Sequence, residues 1–109
     1  MLGPNMLNTA NGLDEKGGSV PGRAQTALPN EHDILTGSNP DGTLFAGNTC
    51  NDWTSSTTGA AYVGHFDRMG TNQPPGSISF NSAHAVNSCT EAGLKGTGGA
   101  GRIYCFAIN

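Results

Sequence analysis

Charge is scarce in this chain. Asp, Glu, Lys and Arg make up only 12% of it, and the formal net charge is −3. The five basic residues form no cluster, so the footprint of a nucleic-acid binder, or of a protein drawn to an anionic membrane, is missing. Long apolar runs are missing too. No stretch approaches the roughly twenty residues that a transmembrane helix needs, which argues against membrane insertion. Met1-Leu2-Gly3-Pro4-Asn5 has neither the basic start nor the apolar core of a signal peptide. Large side chains are also few. Aromatics are 6%, and Leu, Ile, Val and Phe together number 18 of 109 residues. So low an apolar share marks disorder when net charge is high. Here the charge is low as well, and that half of the signature fails.

Glycine fills the gap, with 17 residues, together with Asn, Ser and Thr. This is the composition of a compact, loop-rich β protein whose turns need positive φ. The length allows one domain at most. Residues 1–30 read as its loop-rich N-terminal segment and 31–109 as its core. A domain this small buries a limited share of its surface, so a covalent staple is expected. Three cysteines are available: Cys50, Cys89 and Cys105. No pair has the C-x-x-C spacing of a zinc knuckle or redox motif. One disulfide and one odd cysteine is the better reading, and it implies an oxidising compartment: secreted, periplasmic or cell surface. A secretory-type domain without a signal places the natural N-terminus upstream of Met1. The residues themselves leave the pairing open, with Cys89 to Cys105 across the glycine-rich run as one candidate.

Along the chain, Met6, Leu7, Ala10 and Leu13 have rough helical spacing, but Gly12, Gly17 and Gly18 interrupt it. His32-Asp33-Ile34-Leu35-Thr36 reads as a short strand. A tight turn at Ser38-Asn39-Pro40-Asp41-Gly42 closes it, with Pro40 at the second position and Gly42 at the fourth. Trp53, beside Cys50, is expected to pack over the sulfur and anchor a small core. Ala61-Tyr62-Val63 and Ser77-Ile78-Ser79-Phe80 are strand-like, separated by a loop from Gly70 to Gly76. The run Gly96–Gly101 reads as a loop. Arg102 to Ile108, with apolar residues on both faces, reads as a central strand.

The order Leu35-Thr36-Gly37-Ser38-Asn39-Pro40-Asp41-Gly42, Thr49-Cys50-x-x-Trp53-Thr54, Asn87-Ser88-Cys89 and Tyr104-Cys105-Phe106 resembles the C-terminal half of the endostatin domain of collagens. Gly64-His65-x-Asp67-Arg68, Asn81-Ser82-Ala83-His84 and Thr97-Gly98-Gly99-Ala100-Gly101 are closer still to its bacterial lectin-like relatives. The resemblance spans roughly residues 6 to 109 and rests on the order of the elements, since no single one is specific. It implies an α+β, C-type-lectin-like fold: two helices on an irregular antiparallel sheet with long loops, lacking the family's N-terminal helical half. It also implies a Cys50–Cys89 disulfide. Cys105 is then left unpaired, because the family's partner cysteine lies in the missing half, or is bridged externally to form a dimer. Phe80 stands where the family has tryptophan.

His65, Asp67 and His84, with His32 and Asp33, are the cluster with chemical potential. Two histidines and a carboxylate could hold Zn²⁺ with a position open for water. The spacing gives that reading little support, and polar side chains satisfying loop backbone groups explain the cluster more simply. The resemblance carries no zinc site onto this chain, since collagen endostatin's zinc ligands lie largely upstream. No Gly-x-Ser-x-Gly elbow accompanies Ser82, Ser88 and His84. Gln73-Pro74-Pro75 lacks the side chain that a calcium-dependent sugar site needs after proline. Arg68 could present a fork to an anionic or hydroxylated ligand, although a loop-fixing contact with Asp67 is the plainer reading. With Arg23, Arg68 and Arg102 scattered, heparin affinity is not carried over. The expectation is therefore an extracytoplasmic lectin-like binding or adhesion module for a glycan or a surface protein. It is not an enzyme and needs no cofactor or metal; His65, Asp67, Arg68, Asn81 and His84 are the candidate ligand contacts. The alternatives are a metal-dependent enzyme using His65, Asp67 and His84, and a truncated fragment without independent function.

Overall fold

The computed structural model of the chain describes residues 5–68 and 78–107. The segment Met1–Pro4, the expected Gly70–Gly76 loop, Gln73-Pro74-Pro75, Ser77 and Ile108 lie outside the described residues. Six elements follow in order: β1 (Asp33–Leu35), α1 (Cys50–Trp53), β2 (Ala61–His65), β3 (His84–Val86), α2 (Glu91–Gly96) and β4 (Gly99–Ile103). The strands form one sheet in the order β3-β2-β1-β4. β2 pairs antiparallel with both β1 and β3, whereas β4 runs parallel to β1. The fold is α+β with a mixed sheet, not a wholly antiparallel one.

β1 and β2 form where β-branched and aromatic residues favour a pleated, half-buried strand. The Asn39–Gly42 turn forms as its residues dictate: the Gly42 amide donates to the Asn39 carbonyl at 2.9 Å, with φ of 86° at Gly42. Residues 6–13 contain no helix, in keeping with the glycines that interrupt their helical spacing; Asn8 and Asn11 fold them into turns by bonding nearby backbone amides. Other expectations shift. Ile78 to Phe80 is a turn and bend. The C-terminal strand covers Gly99–Ile103, so it begins inside the expected glycine loop, and it is an edge strand, not a central one. Ile103 and Phe106 are accordingly exposed, at 73% and 59%. Close approach explains the shift. A Cβ on Gly99 would stand 3.2 Å from the Asp33 Cβ and carbonyl oxygen, so glycine is what lets this strand lie against β1.

α2 is capped by Thr90, whose hydroxyl accepts from the Gly93 amide at 3.0 Å. Lys95 pairs with Glu91 one turn earlier. Its buried residue, Leu94, packs on Val63 and Val86. α1 is a single turn in which Cys50, Asn51, Asp52 and Trp53 all have positive φ, between 47° and 62°, a left-handed turn that L-residues adopt at a cost. Thr49 caps it through the Asp52 amide. Trp53 does not anchor a core: it is 47% exposed. The turn carries its indole to Gly37, where a Cβ would stand 2.9 Å from the ring.

The core is divided. Val20, Ile34 and Phe66 form one cluster, Cys50, Ala61 and Cys89 a second, and Val63, Val86 and Leu94 a third; Leu35 packs against the last two. A Cys50–Cys89 disulfide staples the second cluster, with Cα atoms 5.7 Å apart across 39 residues of sequence. The pairing implied by the family resemblance is thus the one present. The Cys89–Cys105 alternative is not, and Cys105 is free and exposed. The N-terminal segment is tied to the sheet: Val20 joins the first cluster, and Asn5 Nδ2 donates to the His65 carbonyl at 2.8 Å.

Candidate functional site

The sheet register assembles the site. Asp33 of β1 stands opposite His65 of β2, and Val63, two residues back on β2, stands opposite His84 of β3. Because side chains alternate along a strand, Asp33, His65 and His84 share one face. His32, immediately before β1, joins them by stacking on His65, with ring centroids 3.9 Å apart and planes 15° apart. The result is convergence on one atom. The Nε2 atoms of His65, His84 and His32 lie 2.9, 3.2 and 3.3 Å from Asp33 Oδ1.

The surroundings are dry. Asp33 is 2% exposed, and His32 and His65 are 6% exposed; only the His84 side chain, at 39%, reaches solvent substantially. The glycine run forms part of the wall: the Asp33 amide donates to the Gly98 carbonyl, and a Cβ on Gly98 would sit 3.6 Å from both Asp33 Oδ2 and the His32 ring. Behind His32, Asp67 Oδ1 meets its Nδ1 at 2.8 Å, and Asp67 Oδ2 accepts the Arg23 amide at 2.7 Å. Gly22 is required there, since any Cβ would collide with that carboxylate.

These contacts set the charge states. Burial alone would raise the Asp33 carboxyl, but hydrogen bonds from His65 and His84 outweigh it and hold the group at about 2. Asp67 is lowered in the same way: burial opposes, while His32 and the Arg23 amide prevail. The bond to Asp33 raises His84 above the ordinary histidine value. Tyr104 is raised by burial and by the Asp67 charge. Asp33 Oδ2 is buried with no hydrogen-bond partner among the described residues, as is the Tyr104 hydroxyl.

The residues singled out from the sequence divide into separate groups. His65 and His84 meet at the cluster, but Asp67 supports His32 and does not join them, so the trio His65, Asp67 and His84 is not the set that converges. Arg68 forms no ion pair among the described residues; its carbonyl accepts from Asn5. Asn81 is buried, bridging loops by donating to the Asn39 carbonyl and accepting from the hydroxyls of Thr36 and Ser38 at its own. The residue under-weighted by the sequence reading is Asp33, the centre of the cluster. The available signal was a carboxylate opening a short apolar strand, where a buried charge demands partners.

Two open clefts lie elsewhere. One, of about 650 Å³, is walled by Trp53, Leu94, Ile103, Tyr104 and Phe106 beside the disulfide. The other, of about 680 Å³, lies around Leu7, Leu13, Phe66 and Tyr104. Neither reaches the histidines. No family model, curated protein or solved structure matches the chain.

Proposed function

We propose that the chain is an extracytoplasmic, disulfide-stapled binding module of the C-type-lectin-like kind, which takes a glycan or a surface protein and is not an enzyme. The observation that carries this reading is the separation of chemistry from access. The reactive side chains face one another in a largely closed cluster, while the open clefts are walled by aromatic and aliphatic groups suited to contact. A disulfide belongs to oxidising compartments, and among the described residues no helix is long and apolar enough to cross a membrane. The lectin-like assignment itself rests on the order of motifs, an analogy of fold. A glycan array and a pulldown from cell-envelope extract test it, with Trp53→Ala and Phe106→Ala as paired controls. A retained ligand lost in the variants supports the reading; blanks in both assays sink it.

One observation favours a second reading, a fragment of a larger assembly. Ile103, Cys105 and Phe106 are exposed close together along the chain, as residues that pack against a further element would be when that element is not beside them. That reading predicts a broad thermal transition for the isolated chain and a thiol or second chain bridged to Cys105 in non-reduced mass spectra. A sharp transition with Cys105 unmodified rules it out.

A further inference from the structure

We infer that residues 103–107 form a self-pairing edge, where two copies of the chain join as antiparallel strands about a twofold axis at Cys105. Topology and side-chain chemistry disagree at this edge. β4 is the last strand of the sheet. Yet the chain there alternates Ile103, Cys105 and Ala107 with Tyr104 and Phe106, and a strand apolar on both faces belongs between neighbours. The two faces beside it are apolar as well. Leu35, paired with Ile103, opens onto the cleft walled by Leu94 and Trp53. Ile34, on the opposite face of β1, opens onto the cleft around Phe66 and Leu13. Ile103, Tyr104 and Phe106 line both. A strand added here sends alternate side chains over the two faces, so the occupant it suits is extended and apolar on both sides.

A second copy meets that description with its own residues 103–107. The devices that keep sheet edges apart are missing from this segment, which holds no proline and no charge. Arg102, immediately before it, is held by Glu31 through bonds of 2.9 and 3.1 Å. Two copies therefore bring no uncompensated like charges together. The register follows from the backbone. Gly101 has φ of 75°, which interrupts the extended run, so regular pairing starts after it. A twofold axis at Cys105, the exposed middle residue, sets Ile103 against Ala107 and Tyr104 against Phe106, an aromatic cross-strand pair. Tyr104 and Phe106 stack within one chain, with centroids 5.4 Å apart, and the pairing continues that stack into the second copy. Such an interface is isologous and closes on itself. It is also small, so the dimer is a reversible one. The added strand lies beside the clefts, and the inference is independent of which ligand they bind.

Sedimentation velocity of the Cys105→Ser chain, which cannot cross-link at the axis, tests the pairing over a series of about 1 to 500 µM. A monomer–dimer equilibrium with a micromolar Kd is expected; a monomer at every concentration overturns the inference. Cys105→Lys sets two like charges opposite one another and should weaken the dimer about tenfold or more, while the melt at dilute concentration stays unchanged. Mixing it with Cys105→Glu should restore association. Cross-linking reads the register independently. In the Cys105→Ser background, Ile103→Cys and Ala107→Cys chains are treated with diamide, which takes up the two electrons and two protons released as two thiols join. The mixture should cross-link rapidly, because positions 103 and 107 face each other. Each chain alone should not, because like positions stand roughly 14 Å apart along the strands, beyond the reach of a disulfide. Cross-linking of either chain alone as fast as the mixture, or a dimer unweakened by Cys105→Lys, overturns this edge as the contact.

Discussion

The sulfur atoms of Cys50 and Cys89 contribute to stability chiefly through the unfolded chain, where the bridge constrains a loop of 39 residues. On the chain-entropy argument that restriction stabilises the fold by roughly 3–4 kcal/mol. Replacing both cysteines by alanine should lower the stability extrapolated from urea unfolding by that amount; a loss below about 1 kcal/mol would mean the native state holds compensating strain. Individual residue types also set what could be read in advance of the fold. Histidine, aspartate and cysteine announce chemistry wherever they occur, so His65, Asp67 and His84 were visible as candidates. Their partnership was not. Asp33 and His84 are 51 residues apart, and nothing local to either predicts that one oxygen of the first will face a ring nitrogen of the second.

Glycine decides what the elements can do, and it acts in opposite directions at two positions. Gly64 sits in β2 where a Cβ would fall 1.7 Å from the Phe80 carbonyl oxygen, so Gly64→Ala should cost about 3 kcal/mol or more through backbone collision. Gly96 in α2 has open space around its missing Cβ and no positive φ. Gly96→Ala should therefore stabilise by about 0.4–1 kcal/mol. Thermal melts of the two variants would move in opposite directions, and like-signed shifts would contradict this packing. The same residue type explains which elements the sequence concealed. β1 and β2 carry ordinary strand residues and were legible. β4 opens with Gly-Ala-Gly because it must approach Asp33 closely. α2 carries Gly93, whose Cβ would otherwise overlap the Ser88 hydroxyl at 2.0 Å. Propensity scores both as loop, since it reads single residues and not the neighbours that require them to be small.

At the scale of the molecule, three small apolar clusters replace one large core, and Leu35 packs on two of them. Leu35→Ala should cost about 2–4 kcal/mol and broaden the thermal transition, because it loosens the joint between clusters; a sharp transition with little loss would show that each cluster stands alone. Composition and turn residues pointed to a loop-rich β protein, and the α+β class came only as an implication of the family resemblance. The mixed sheet was legible in neither, because the parallel partner of β1 comes from a distant part of the chain. Leu35 pairs with Ile103, and joining such remote strands is slow on the contact-order argument. The disulfide alters that distance. Traced through Cys50–Cys89, the path from Leu35 to Gly99 shortens from about 64 residues to about 26, which by loop-closure entropy should speed strand closure roughly fourfold. In stopped-flow refolding the oxidised chain should outpace the reduced one by that factor. The bridge is then a shortcut for the folding search as well as a staple for its product, and its early formation would set the order in which the sheet is assembled.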